Sequence, residues 1–237
     1  MHGDRRSTGA STGVVHENAG MDALTEPTWF IDSDSPEVAT FVERALADGA
    51  ADDPTTRAVA LFHAVRDGIR YDPYGISSDP ADYRASAIAT APRNWCVPKS
   101  VLLTAAARHV GIPARLGFAD VKNHLTSEKL SESMGTDLFA WHGYSELLLD
   151  GRWFKISSAF NIELCEKVGA KALEFDGTDD ALMHPFDEAG NRHMEYVNQR
   201  GSFDDLPLDT ILADFAVIYP GFVGIHDESN DGDDVFH

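Results

Sequence analysis

The chain has 237 residues, 43% hydrophobic and 10% aromatic, which suffices for one substantial core and differs from a disordered composition. Its 39 acidic residues against 19 basic ones give a formal charge of −20, which argues against nucleic acid and anionic membranes as partners. No apolar run approaches the roughly 20 residues that span a bilayer, and no apolar stretch follows Arg5 and Arg6 to make a signal peptide. A cytoplasmic location is therefore expected, and two cysteines, Cys96 and Cys165, fit a reducing compartment better than a disulfide framework.

Residues 1–25 are polar and rich in Gly and Ser, and are expected to be disordered. An ordered domain is expected over 26–220, followed by an acidic tail, 221–237. Ser35-Pro36-Glu37 reads as a cap followed by proline in the first helical turn, with Val38, Phe41, Val42 and Ala45 at helical spacing behind it. A second helix is predicted from about Pro54 to Gly68, then an extended segment, Ile69 to Tyr74. After a loop with a short helical turn near Asp82–Ala87, a helix runs from Pro98 to His109 and stops at Gly111. Leu116–Val121 reads as a strand. The polar stretch 122–137 is long for a plain connection and is a candidate cover for a site. Trp141–Leu149 and Arg152–Ser157 form a hairpin around Asp150-Gly151. A short helix, Ile162–Val168, an aperiodic stretch, 170–206, and a last helix, Leu208–Val217, complete the domain.

Cys96 stands where a helix begins, with Pro98 in its first turn. Unpaired amides and the positive end of the helix dipole stabilise a thiolate there, so a lowered thiol pKa is expected. The same amides can donate to an oxyanion formed beside the sulfur. His142, on the strand that opens the hairpin, is the candidate base. A two-residue turn at Asp150-Gly151 pairs Leu149 with Arg152 and sets His142 opposite Ala159. Ser157 and Asn161 then lie on the His142 face as its diagonal neighbours, and either can hold the imidazole in one tautomer.

The stretch Cys96, Lys99, Leu103, Ala107-Arg108 and Gly111-Ile112-Pro113-Ala114-Arg115 resembles the cysteine motif of the transglutaminase-like superfamily. His142, Glu146, Gly151 and Trp153 resemble its histidine motif, and the likeness covers about residues 55–165. The resemblance implies an α+β, papain-like fold in which the helix bearing the cysteine packs on an antiparallel sheet. It also implies a thioester mechanism on a peptide or protein amide. One departure stands out: the family usually has an aspartate four residues after the tryptophan, and this chain has Ser157. Asn161 is preferred over Ser157 as the orienting group because its amide oxygen accepts from a ring N–H. The missing aspartate also admits an alternative, a catalytically weak or inactive binding module.

Trp95, Asn94 and Tyr71 are candidate oxyanion or cleft residues, with core packing and turn roles as the bland alternatives. Lys99 reads as a surface lysine, and Arg115 as half of a structural ion pair. No zinc-like spacing, calcium loop or phosphate loop is present, so no metal and no cofactor is expected.

Overall fold

A computed structural model describes residues 23–47, 49, 53–124, 132, 134–182, 189–190 and 193–220. The expected disordered head and acidic tail lie outside them, except that Ala23–Thr25 form a 3-10 turn with Leu24 buried. No helix among the described residues is long and apolar enough to cross a membrane.

Caps fix the first two helices. Ser35 accepts from the Val38 amide at the start of α1 (Pro36–Ala45), and Asp53 accepts from the Thr56 amide at the start of α2 (Pro54–Gly68). Each has proline at its first position, where a missing N–H costs nothing. Two short parallel strands follow, β1 (Arg70–Tyr71) and β2 (Arg93–Asn94), with a 3-10 turn, Pro80–Tyr83, and a single helical turn, α3 (Ala85–Ile88), between them.

The central helix α4 spans Cys96–His109, and Cys96 to Arg108 are all buried. A helix enclosed on every side must satisfy its polar groups internally. Lys99 does so by donating to Arg66 O at 2.9 Å and to Ile69 O, which ties the end of α2 to the cysteine helix. This corrects the surface reading of Lys99. Arg108 donates to the carbonyls of Glu26, Ala114 and Asp204 at 2.7–2.9 Å.

Helix α4 packs between the other helices and strands β4 and β3 of a four-stranded antiparallel sheet of order β5-β4-β3-β6, made of β3 (Ala114–Asn123), β4 (Leu138–Leu149), β5 (Arg152–Ile156) and β6 (Met194–Phe203). The architecture is α+β. The hairpin register is the expected one, with Leu149 paired to Arg152 and Ser145 to Ile156. Ladder pairing stops there, three residues short of His142. Helices α5 (Ile162–Val168) and α6 (Leu208–Ile218) complete the chain.

Candidate active site

Two hydroxyls, of Thr104 and Ser145, join α4 to β4, and a third, of Ser100, bonds back within the helix. Thr104 donates to Ser145 at 3.1 Å, Ser145 to the Ser100 carbonyl at 2.9 Å, and Ser100 to the Val97 carbonyl at 2.7 Å. Gly143 lets the two elements close further. A Cβ there would lie 2.9 Å from Ser100 Oγ and 3.0 Å from Val97 Cα, so only glycine fits without moving the helix. The close approach directs the Gly143 amide at the Cys96 sulfur, joined by the amides of Val97 and Cys96 itself.

The strand is not regular at this point. Trp141 has φ 58°, a left-handed conformation that costs a non-glycine residue about 1–3 kcal/mol, and the β3–β4 register shifts opposite it, between Ala119 and Val121. The alternation of side chains is thus broken one residue before His142. Its neighbours over-determine this kink. Trp141 donates its backbone N–H to Asp120 at 3.1 Å and its indole N–H to Asp214 at 2.8 Å. The Arg200 guanidinium lies 4.6 Å from the ring centroid and pairs with Asp120 at 2.6 Å and Asp214 at 2.5 Å. Tyr219, just beyond α6, accepts from the Ala140 amide at 2.6 Å and donates to the Leu138 carbonyl at 2.8 Å.

Cys96 and His142 line one cavity of about 50 Å³, walled in part by Trp95, Tyr71, Phe160 and Phe215. Both are nearly sealed, at 7% and 4% exposure. Burial sets their protonation. It pushes the Cys96 thiol up to about 11, against the pull of the Gly143, Val97 and Cys96 amides and the charge of Lys99. It pushes His142 down to about 4. The lowered thiol pKa expected from the helix terminus is therefore reversed, because desolvation of a sulfur anion outweighs the amides that face it. The resting pair is a neutral thiol and a neutral imidazole.

The other residues singled out in the sequence divide into two groups. Ser157 Oγ stands 3.4 Å from His142 Nε2, and both side chains are buried. Trp95 is 5% exposed, and its indole N–H has no hydrogen-bond partner among the described residues. Tyr71 walls the cavity edge-on against Phe160, ring centroids 4.7 Å apart. The two asparagines are engaged elsewhere. Asn161 accepts from the Tyr71 amide at 3.0 Å and donates to Glu163 at 2.7 Å. Asn94 accepts from the Trp95 amide at 3.2 Å. Arg115 pairs with Glu146 at 2.6 Å, as the sequence suggested.

The sequence reading missed Gly143, Trp141, Asp120 and the carboxy-terminal wall. A glycine directly after the candidate base was the one available signal for close approach; the contacts of the Asp120 network join residues 14 to 80 positions apart and leave no local pattern. Among the described residues no group of three or more His, Cys, Asp or Glu side chains is placed to hold a metal ion.

Residues 44–158 match the family model of the transglutaminase-like superfamily. Solved structures similar to the chain include a candidate cysteine protease from Cytophaga hutchinsonii, 14% identical with a TM-score of 0.45 over 79% of this chain. They also include a TGase, 18% identical with a TM-score of 0.38 over 64% of this chain. The chain spans 58% and 39% of the lengths of those two proteins. No curated protein matches it.

Proposed function

We propose that the chain is a thiol-dependent acyl-transfer enzyme acting on amide bonds, a reading supported by the match of residues 44–158 to the transglutaminase-like superfamily. Cys96 is the nucleophile and His142 its base. The observation that carries the reading is the enclosure of the Cys96 thiol and the His142 ring in one cavity, with three backbone amides directed at the sulfur.

The sulfur attacks the substrate carbonyl while His142 takes the thiol proton, so no free thiolate has to form in a dry site. The developing oxyanion is met by amides at the start of α4 and by the Trp95 indole N–H, a buried donor awaiting an acceptor. His142 then returns its proton to the leaving amine, leaving a thioester on Cys96. Water or a second amine completes the cycle, with His142 again as base.

Ser157 takes the orienting role, because its hydroxyl is at His142 Nε2 while the Asn161 amide is committed to Tyr71 and Glu163. A hydroxyl brings no charge to balance imidazolium, in keeping with the low pKa of His142. That same substitution is what favours the rival reading, a binding module that has given up catalysis.

A panel of glutamine, asparagine and isopeptide amides, with and without an added amine, tests the proposal. Turnover that disappears in Cys96→Ala supports it, and capture by the amine separates transfer from hydrolysis. Equal turnover by wild type and Cys96→Ala refutes it.

A further inference from the structure

The cavity that joins Cys96 to His142 carries no charge. Among the described residues that line it there is no Asp, Glu, Lys or Arg, in a chain whose residues are 24% charged. Strand β3 contributes Val121, strand β4 Phe139 and Ala140, strand β6 Met194, and helix α6 Phe215. The polar groups present are uncharged. His142 is kept neutral by burial, and Tyr219 spends its hydroxyl on the Ala140 amide and the Leu138 carbonyl. A charged group brought into such a space loses its hydration and meets no counter-charge. An aliphatic group gains by leaving water for it.

Size is the second restriction. A water molecule occupies about 10–15 Å³ of cavity, so about 50 Å³ admits a group of about four non-hydrogen atoms. The wall that sets this limit is held from behind. The Phe215 ring lies 5.8 Å from that of Trp95 and 5.2 Å from that of Tyr219, centroid to centroid. Directly before it in α6, Asp214 accepts from the Trp141 indole and pairs with Arg200. One helical turn beyond it, Tyr219 is tied to β4 by its two hydrogen bonds. Phe215 is therefore clamped on both sides and is not free to swing out and lengthen the cavity.

The acyl half of a substrate is the part that has to fit here. It stays bonded to the Cys96 sulfur from attack to release, whereas the amine half departs and is replaced by water or a second amine. A short, uncharged space around the sulfur thus reads the acyl half.

We propose that the cavity at Cys96 selects substrates whose acyl half is a short, uncharged aliphatic group of about four non-hydrogen atoms, with Phe215 and Met194 as the walls that limit its length. The inference rests on the acyl-transfer reading above and adds a substrate class to it. Acyl halves carried on a peptide backbone react more slowly, because part of the group stays outside the cavity.

The test is acylation of the full chain by three p-nitrophenyl esters at pH 6, the propionate, the glycinate and the octanoate, read by intact mass with Cys96→Ala as background. Propionyl and glycyl groups match in size, and the glycyl group carries an ammonium. Each rate is divided by that of the same ester with glutathione, which removes differences in intrinsic reactivity. The expected result is propionylation of Cys96 at least about tenfold faster than glycylation, although the net charge of −20 attracts the cation. Propionylation should also be about tenfold faster than octanoylation. Phe215→Ala, or Met194→Ala where the first does not fold, should raise the octanoyl rate relative to the propionyl rate about tenfold, with thermal melts reporting on folding. Glycyl or octanoyl transfer as fast as propionyl transfer, or a length preference that neither substitution relaxes, overturns the proposal while leaving Cys96 as a working nucleophile. No acylation of Cys96 by any of the three esters removes the acyl-transfer reading and this inference together.

Discussion

The Ser157 hydroxyl lies 3.4 Å from His142 Nε2, in a site where both side chains are sealed from solvent. That contact is long and uncharged, so it can set the tautomer of the ring but adds little to its basicity. Ser157→Ala is expected to lower kcat about tenfold with KM nearly unchanged, the size of effect a neutral hydrogen bond supplies. Ser157→Asp should move the acid limb of the pH–rate profile upward, since a carboxylate favours imidazolium. Steady-state kinetics across pH on the two variants check both outcomes.

Burial of His142 has a consequence for stability. Between the ordinary 6.5 and about 4, the unfolded chain binds a proton at His142 that the folded chain does not. Stability therefore falls as pH falls through that window, by about 3 kcal/mol over its whole width. His142→Leu removes this component. Urea unfolding at pH 7 and pH 4.5 should show a larger loss in wild type than in the variant.

Gly143 holds the strand against the cysteine helix. Gly143→Ala puts a methyl group against Ser100 Oγ and Val97 Cα, and the Val97 contact is with backbone that cannot swing aside. The expected cost is about 1–3 kcal/mol in stability. The Gly143 amide also retreats from the sulfur, so activity should fall further than the folded fraction does. Denaturant melts and the rate per folded molecule separate the two effects.

Much of this was legible in the sequence because it is local. The cysteine at a helix start, the Asp150-Gly151 turn and the resulting hairpin register all follow from short-range chemistry, whereas the Ser157–His142 contact lies beyond the last ladder pair, Ser145 with Ile156, and depends also on the kink at Trp141. Strand β6 was not legible. It is an edge strand with exposed Glu195, Asn198 and Gln199, so it lacks the alternation that marks a half-buried strand. Lys99 was misread for a related reason: a charged side chain in a helix looks solvent-facing unless the carbonyls that receive it, here of Arg66 and Ile69, are known. The thiol pKa ran opposite to expectation because a helix terminus is visible in the sequence and the degree of enclosure is not.

The Asp120–Trp141 contact is the distant support of the site. Asp120→Ala removes the acceptor of the Trp141 amide and one partner of Arg200. It should destabilise the protein by about 2–3 kcal/mol, the range for losing a charged acceptor. Released from its left-handed conformation, Trp141 would also let His142 drift from Cys96, so kcat should fall while KM holds. Asp120→Asn keeps an acceptor for the Trp141 amide and should recover most of the rate, a rescue that a purely structural role would not produce.

The pairing of Cys96 with His142 is most directly tested by acetylation with p-nitrophenyl acetate, followed by intact mass and peptide mapping. The predicted result is one acetyl group on Cys96, absent in Cys96→Ala, formed at least about a hundredfold more slowly in His142→Ala, the usual contribution of a positioned general base. Acetylation of Cys96 at the same rate with and without His142 would contradict the account.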